Sequence, residues 1–404
     1  RLLEVEPGPA GVAAVLAALP AALAGDGPAL GIAPAGTGEY AVRAQPAEAD
    51  RLVVSGAGTR PSDHDHAGLV DSDVAVVLAT SGSTGAPKGV LLPASALLAA
   101  AHAMHERFGG PAAWLLALPV TGIGGLQVLV RSLVGQCEPV VLSSVGGAGS
   151  FDPAEFAAAT WRLDPSLPAW TSLVPAQAAR LLEHPEGLGA MRGYEMVLLG
   201  GARTPPALLE RLRAESVAAV TSYGMTETCG GAYYEGTALP GVAATILSQD
   251  AEGVGRIAIG GPTVARGYLG DADATAAGFV DGRVVTADLG RLSADGELEV
   301  LGRIDDVVQV GGVNVAVSAV EDALRSVCAD ACVLVVADEA WGSRLTAYVV
   351  DAPSDPARSD DELAAAVAHA LGPAAVPRAW VRLAEIPHLP TGKPDRAALA
   401  RLAL

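Results

Sequence analysis

Short apolar runs alternate with longer helix-like segments through most of the chain, and this alternation constrains the fold more than any other feature. An apolar run within Asp71–Thr80 predicts a buried strand, and Ala94–Phe108 predicts a helix that ends before a Gly-Gly-Pro sequence. The same alternation is repeated at Trp114–Pro119, Gly125–Val134, Ala169–Leu182 and Met196–Leu212. Strands that alternate with helices are typical of α/β layers around a largely parallel sheet.

The pattern changes in the last third of the chain. Short strands and glycine turns over Gly253–Leu301 predict a small β-rich subdomain, and a new unit of helices and strands begins after Arg303. A chain of 404 residues also exceeds what one hydrophobic core usually supports. The sequence therefore predicts an α/β protein with a large N-terminal domain over residues 1–302, a hinge at 303–306, and a small mobile α+β domain over 307–404.

The composition excludes several classes of protein. The net charge of −19 argues against a nucleic-acid or anionic-membrane surface, because such surfaces carry basic stripes. Four cysteines are too few for a disulfide scaffold, and no apolar run is long enough to cross a membrane. We expect a cytoplasmic protein that binds neither nucleic acid nor membranes. The composition does not set its oligomeric state.

Nearly all of the basic residues are arginines. Among 26 basic residues only two are lysines, Lys88 and Lys393, although lysine is a common surface cation elsewhere. A compact ammonium group and a planar guanidinium group are not interchangeable in a site. Two lysines that persist in an arginine-rich chain therefore mark candidate functional positions.

A segment rich in glycine and hydroxyl groups follows the first predicted strand. Residues 80–89 read TSGSTGAPKG, and we expect Ser81–Gly89 to form a loop. Glycines let a backbone come close to phosphate oxygens, which successive N–H groups and hydroxyls can then surround. The spacing differs from the G-x4-G-K-[ST] nucleotide loop. The candidate phosphate-binding residues are Thr80, Ser81, Gly82, Ser83, Thr84, Gly85 and Lys88.

This segment resembles the phosphate loop of the adenylate-forming enzymes, the superfamily of acyl-CoA synthetases, adenylation domains and luciferases. Further segments are similar to the motifs of that superfamily and occur in the same order. They are Gly200-Gly201-Ala202, Tyr223-Gly224-Met225-Thr226-Glu227, Asp288 within TADLG, Gly302-Arg303-Ile304-Asp305-Asp306, Gly311-Gly312-Val313-Asn314 and Pro390-Thr391-Gly392-Lys393-Pro394-Asp395-Arg396.

The resemblance implies where the nucleoside part of ATP binds. Tyr223 would stack on adenine, beside the backbone of Gly200-Gly201-Ala202 and Gly224. The carboxylate of Asp288 would accept hydrogen bonds from the ribose hydroxyls, and Arg303 would also reach the ribose.

The resemblance also implies the catalytic groups. Lys393 would be the catalytic cation, and Lys88 would hold the departing pyrophosphate. The hydroxyl of Thr226 would reach a phosphate, and Glu227 would hold Mg²⁺. After adenylation the C-terminal unit would rotate at Asp305 and open a tunnel for the CoA thiol.

Within the superfamily the sequence is most similar to actinobacterial o-succinylbenzoate–CoA ligases, which act in menaquinone biosynthesis. The similar stretches are Thr171–Gln177, Thr226–Gly231 and Pro240–Val242. The chain departs from that family at Thr121 and Gly122, where the family carries bulky rings that face the acid pocket and the tunnel. The predicted acid pocket is formed by Thr121, Gly122, Ser172, Gly224, Thr228 and Gly230.

Three interpretations follow from the sequence. The first is an ATP-dependent ligase that adenylates o-succinylbenzoate and transfers it to CoA. The second is an enzyme of specialised metabolism that adenylates another aryl acid, or a small oxyanion such as nitrite, without CoA. The third is a non-catalytic nucleotide-binding relative, and the intact Lys88, Glu227, Asp288 and Lys393 argue against it.

Overall fold

A computed structural model describes most of the chain. The described residues are 2–35, 40–44, 52–56, 71–81, 87–147, 150–310, 312–338, 342–351, 358–387 and 394–402.

The strands are numbered from the N-terminus. They are β1 (Leu2–Val5), β2 (Leu30–Pro34), β3 (Tyr40–Ala44), β4 (Leu52–Gly56), β5 (Val74–Ser81), β6 (Pro87–Pro93), β7 (Ala113–Leu116), β8 (Val140–Val141), β9 (Ala169–Leu173), β10 (Met196–Leu199), β11 (Ala219–Met225), β12 (Gly230–Tyr234), β13 (Thr237–Ala238), β14 (Ala243–Leu247), β15 (Gly255–Gly260), β16 (Gly267–Tyr268), β17 (Phe279–Val280), β18 (Arg283–Leu292), β19 (Leu298–Arg303), β20 (Val307–Val310), β21 (Val313–Ala316), β22 (Asp330–Asp338), β23 (Gly342–Val350) and β24 (Ala379–Arg382).

The helices are numbered in the same way. They are α1 (Pro9–Ala24), α2 (Ala94–Phe108), α3 (Ile123–Val134), α4 (Pro153–Thr160), α5 (Pro175–Leu182), α6 (Pro185–Met191), α7 (Pro206–Ala214), α8 (Ala272–Gly278), α9 (Val317–Arg325), α10 (Asp360–Leu371) and α11 (Arg396–Leu402). No helix in the described ranges is both long and apolar enough to cross a membrane.

A seven-stranded sheet forms the centre of the large unit. Its order is β13-β12-β11-β10-β9-β7-β8, and the five strands from β11 to β8 are parallel. The strands β7 and β10 are buried along their whole length, because a parallel sheet is covered on both faces. This sheet confirms the predicted α/β class and places the carboxyl ends of β9, β10 and β11 along one edge.

A second sheet has the order β1-β2-β5-β6-β16. The sequence predicts a loop over Ser81–Gly89, but Ser81 belongs to β5 and Pro87–Gly89 belong to β6. Thr80 pairs with Lys88 and Ser81 with Pro87 in an antiparallel ladder. Proline and glycine locally favour a turn, which is why a loop was predicted. In the structure the backbone groups of this segment instead find hydrogen-bond partners in the strand pairing of β5 and β6.

The predicted β-rich subdomain is confirmed. Its strands have the order β14-β15-β18-β17, with β19 paired to β18. Ile257, Ile259 and Val284 of this subdomain are buried in the same hydrophobic core as the seven-stranded sheet. The subdomain is therefore packed onto the large unit.

The C-terminal unit has a core of its own. Its apolar residues come from β20 to β23, α9 and α10, and they form a cluster separate from the main core. The turn at residues 304–306 connects the two units. The carboxylate of Asp306 accepts a hydrogen bond from the Ser318 backbone N–H at 2.7 Å, which attaches the end of this turn to the start of α9.

A buried carboxylate organises the C-terminal unit. Glu321 of α9 is only 6% exposed, and its Oε1 accepts hydrogen bonds from the Val333 backbone N–H at 2.9 Å and from Arg396 at 2.8 Å. Arg325 lies 3.4 Å from the other oxygen. Since Arg396 begins α11, Glu321 ties the last helix to α9 and β22.

Replacing Glu321 with glutamine should therefore destabilise the C-terminal unit. The substitution removes the charge from hydrogen bonds that contribute about 1.5–3 kcal/mol when one partner is ionised. Hydrogen exchange of the β22 and β23 amides should become faster by the corresponding factor. The exposed Glu385→Gln provides the matched control in the same unit. Unchanged exchange in Glu321→Gln would show that the buried carboxylate does not hold α11.

Candidate active site

The hairpin of β5 and β6 positions the two ends of the phosphate segment. The Thr80 hydroxyl donates a hydrogen bond to the Lys88 carbonyl oxygen at 3.4 Å. The predicted phosphate-binding residues Gly82, Ser83, Thr84 and Gly85 lie outside the described residues. Thr80 and Lys88 are therefore held as direct neighbours at the base of the segment.

The side chain of Lys88 contacts Tyr268. Its ammonium nitrogen lies 5.0 Å from the centroid of the Tyr268 ring. The Tyr268 hydroxyl donates a hydrogen bond to Glu227 Oε1 at 3.0 Å. Burial and the charge of Glu227 raise the pKa of Tyr268, which keeps this hydroxyl a proton donor. The structure thus brings Lys88 and Glu227 together through a residue that the sequence analysis missed.

Glu227 suits the metal expected at this position. It lies with Thr226 in a short turn that follows β11, and the described residues contain no group of three or more His, Cys, Asp or Glu that could hold an ion by themselves. Mg²⁺ is usually held by one or two carboxylates together with substrate phosphates and water. A half-buried carboxylate would fit Mg²⁺ that is bound to ATP, with Glu227 as the expected protein ligand.

A second cluster lies at the end of β11. The Tyr223 hydroxyl donates a hydrogen bond to Asp288 Oδ2 at 2.6 Å, and Arg303 contacts Asp288 Oδ1 at 3.3 Å. The Asp288 backbone N–H donates to the Thr286 hydroxyl at 2.9 Å, which fixes the strand beneath it. Burial, followed by the charge of Asp288, raises the pKa of Tyr223. Each oxygen of Asp288 retains a lone pair that a ribose hydroxyl can use.

The Gly200-Gly201-Ala202 segment follows β10, next to β11. A side chain at position 200 would place its Cβ 2.7 Å from the Ser222 hydroxyl oxygen, and Gly201 has a φ of +77°. Both positions therefore require glycine. Gly200 is half-buried beside Ser222 of β11, and Gly201 and Ala202 are exposed, so a ligand can reach the backbone of these residues.

The predicted acid-pocket residues differ in the contacts of their side chains. Thr121 and Gly122 are half-buried at the start of α3, and Ser172 is buried on β9 with no hydrogen-bond partner for its hydroxyl among the described residues. The Thr228 hydroxyl is fully buried and bonded to the Met225 backbone N–H at 2.9 Å and the Gly230 carbonyl at 2.7 Å. The Thr228 side chain thus shapes the turn.

Gln127 of α3 also belongs to the site and was not predicted from the sequence. Its amide group donates hydrogen bonds to the carbonyl oxygens of Cys229 at 2.8 Å and Leu97 at 3.3 Å. These bonds join α3 and α2 to the turn that carries Glu227. A glutamine within the otherwise apolar stretch of α3 was the signal that could have identified it. The Cys229 thiol itself is fully buried, and burial raises its pKa, so it packs as a neutral group.

Gly224 makes a close backbone contact between β11 and β12. A Cβ at this position would lie 2.0 Å from the Gly230 carbonyl oxygen, where the pairing of β11 and β12 shifts register. Any larger residue at position 224 would separate the two strands.

Lys393 lies outside the described residues, and the structure describes the chain on both sides of it. The Asp395 backbone N–H donates a hydrogen bond to the Pro387 carbonyl oxygen at 2.7 Å. Arg396 is bonded to Glu321 and to the Val333 carbonyl oxygen. Both flanks of the segment that carries Lys393 are thereby anchored to the C-terminal unit.

Two family models match the chain. The AMP-binding enzyme model matches residues 13–269, and the model of the AMP-binding enzyme C-terminal domain matches residues 314–393.

Curated relatives are ligases that form CoA thioesters. A probable 2-succinylbenzoate–CoA ligase of Mycobacterium tuberculosis (strain CDC 1551 / Oshkosh) is 41% identical over 337 residues, which cover 82% of this chain and 85% of the relative. A 2-succinylbenzoate–CoA ligase of Enterococcus faecalis is 32% identical over 299 residues, which cover 69% of this chain and 59% of the relative.

A solved structure of a similar enzyme supports the fold. The o-succinylbenzoate CoA synthetase of Bacillus subtilis, in complex with its acyl-adenylate intermediate, superimposes with a TM-score of 0.68 and 29% identity. The match covers 81% of this chain and 69% of that chain. The same enzyme has also been solved with ATP and a magnesium ion.

Replacing Asp288 with asparagine should weaken ATP binding. Hydrogen bonds from the ribose to a charged acceptor contribute about 1.5–3 kcal/mol, so the Kd of ATP should rise roughly tenfold to hundredfold. Isothermal titration calorimetry with ATP measures this change. The exposed Asp295→Asn, in the turn between β18 and β19, is the matched control. A Kd within twofold of wild type in Asp288→Asn would remove Asp288 from the nucleotide site.

Proposed function

The chain belongs to the AMP-binding enzyme family and is an ATP-dependent acid–CoA ligase, and on that premise we propose that its acid is 2-succinylbenzoate. The observation that carries this proposal is the 41% identity to the Mycobacterium tuberculosis relative over four fifths of the chain. The contacts of Lys88 and Glu227 with Tyr268, and of Tyr223 with Asp288, support the nucleotide-binding part of this function.

We propose that catalysis proceeds in two steps. A carboxylate oxygen of the acid forms a bond to the α-phosphorus of ATP, and the bond from that phosphorus to the bridging oxygen breaks and releases pyrophosphate. The CoA sulfur then bonds to the acyl carbon, AMP leaves with the carboxylate oxygen, and the thiol proton passes to solvent.

The residues act on the charge that this reaction develops. Lys393 offsets negative charge on the α-phosphate and the attacking oxygen, and Lys88 holds the departing pyrophosphate. Positively charged or hydrogen-bond-donating groups that are already oriented toward the transition state each lower the activation free energy by about 3–4 kcal/mol. Bound Mg²⁺ supplies further positive charge to the phosphates, and Glu227 with Thr226 orients that end of the nucleotide.

The junction between the two units supports a hinge at Asp305 and the domain limits 1–302, 303–306 and 307–404. Arg303 is fixed to Asp288 by strand pairing and by its side chain, and Asp306 is fixed to α9. Only Ile304 and Asp305 lie between these anchors. A rotation between the half-reactions would therefore change the backbone angles of these two residues.

The residues that the structure describes include an ion pair that crosses the junction. Arg203, next to the predicted adenine contact, lies 3.1 Å from Asp322 of α9. A rotation of the C-terminal unit would break this contact.

Because ATP and CoA are both cytoplasmic metabolites, we also propose that the enzyme acts in the cytoplasm.

The second candidate function rests on Thr121 and Gly122. The smaller side chains leave room at the start of α3, which favours a different aryl acid or a small oxyanion such as nitrite. A screen of pyrophosphate release with each acid, with and without CoA, separates the two candidates. Turnover of 2-succinylbenzoate near background, beside rapid turnover of another acid, would contradict the first proposal and support the second.

Replacing Lys393 with alanine should remove most of the adenylation activity. We expect a loss of roughly 10²-fold or more in pyrophosphate exchange with little change in the Kd of ATP. The exposed Arg401→Ala on α11 is a matched control for loss of a cation from the same unit. Near-normal exchange in Lys393→Ala would contradict the catalytic role of this lysine.

Restoring large residues with Thr121→Tyr and Gly122→His should be compatible with the fold. A Cβ on Gly122 would meet only the Pro119 carbonyl oxygen, at 3.6 Å, whereas one on Gly125 would meet the same oxygen at 2.3 Å. If 2-succinylbenzoate is the acid, kcat/KM should change by less than about tenfold. Gly125→Ala should instead lower the melting temperature. A much larger loss in the double variant with unchanged ATP affinity would show that another acid occupies this space.

A further inference from the structure

A short segment at residues 265–269 joins the Glu227 turn to the strand that carries Lys88. The Ala265 backbone N–H donates a hydrogen bond to the Glu227 carbonyl oxygen at 2.8 Å. Farther along, the Leu269 backbone N–H donates to the Gly89 carbonyl oxygen at 2.7 Å, as part of the pairing between β16 and β6. The segment therefore spans the distance between the two charged residues.

Tyr268 lies at the centre of this segment and cannot turn freely. Its backbone N–H donates a hydrogen bond to the Thr275 hydroxyl at 2.9 Å. Its ring stands edge-on to Phe279, with the ring centroids 5.4 Å apart. The backbone and the ring are thus fixed by α8 and β17 before either charged residue is considered.

The tyrosine side chain contacts both charged residues in different ways. The face of its ring lies below the Lys88 ammonium group at 5.0 Å, and its hydroxyl donates to Glu227 Oε1 at 3.0 Å. Lys88 and Glu227 form no ion pair with each other in this arrangement, and each keeps its charge available to a ligand. A direct pair would compete with the phosphate oxygens for the lysine and with Mg²⁺ for the carboxylate.

We propose that Tyr268 is a positioning residue that holds Glu227 and Lys88 apart in the orientation that binds Mg·ATP. This inference rests on the proposed function, in which Glu227 contacts the metal and Lys88 contacts the phosphates. The hydroxyl fixes one oxygen of Glu227 and leaves the other free. The ring holds the ammonium group without neutralising it.

Two substitutions separate the hydroxyl from the ring. Tyr268→Phe removes only the hydrogen bond to Glu227, and Tyr268→Leu also removes the aromatic face below Lys88. Tyr194→Phe is the matched control, because Tyr194 is a buried tyrosine whose hydroxyl is bonded to Thr160 away from this site. Thermal unfolding followed by circular dichroism establishes that each variant is folded.

The measurement is the Kd of ATP by calorimetry over a range of free Mg²⁺ concentrations and in EDTA, with no acid or CoA present. For Tyr268→Phe we expect the Mg²⁺ concentration needed for half-maximal strengthening of ATP binding to rise roughly tenfold, as for other residues that orient a metal ligand. Its Kd in EDTA should stay within twofold of wild type. Tyr268→Leu should weaken binding in EDTA as well, by roughly threefold.

A Mg²⁺ dependence of Tyr268→Phe equal to that of wild type and of Tyr194→Phe would overturn the proposal. If Tyr268→Phe is also less stable than wild type, a double-mutant cycle with Glu227→Gln still tests the proposal. The effects of Tyr268→Phe and Glu227→Gln on the Mg²⁺ dependence should then not add, because both act on the same carboxylate. Additive effects would contradict the proposal. If wild type shows no ATP binding that depends on Mg²⁺, the proposed function itself fails.

Discussion

The buried carboxylate of Asp288 is the contact on which the arrangement of the site depends. It accepts a hydrogen bond from Tyr223 at the end of β11 and lies against Arg303 at the end of β19. One side chain thereby joins the central sheet, the β-rich subdomain and the junction to the C-terminal unit. Because Arg303 lies two residues before Asp305, the proposed hinge, we propose that a nucleotide bound at Asp288 would also affect the point where the C-terminal unit is attached.

A strongly acidic chain that binds ATP must place its positive charge locally. The net charge is −19, and Lys88 is one of only two lysines. The Lys88 ammonium group lies over the ring of Tyr268, and Lys88 forms no ion pair within the part of the chain that the structure describes. We propose that backbone N–H groups and Mg²⁺ supply the remaining attraction for the phosphates, so that the net charge of the chain does not prevent binding.

The sequence predicted elements well where apolar periodicity and end signals agree. The helix Ala94–Phe108 has the predicted limits for this reason. The strands β1 and β2 were not predicted, since segments of four or five residues in an alanine-rich region do not distinguish a strand from a helix. Tyr268 was not predicted because it belongs to a two-residue strand, and only the tertiary fold places it between Lys88 and Glu227. Motif resemblance identified Asp288 and Arg303, and the structure added the hydrogen bond from Tyr223 that joins them to β11.

In the central step of the proposed mechanism, the carboxylate of the acid attacks the α-phosphorus of ATP before the acyl group is transferred to CoA. The most direct measurement uses 2-succinylbenzoate labelled with ¹⁸O in its carboxylates, with mass spectrometry of the AMP formed during thioester synthesis. The account predicts that each AMP released carries one ¹⁸O atom from the acid, in equal amount to the CoA thioester. Unlabelled AMP formed alongside the thioester would contradict an acyl-adenylate intermediate.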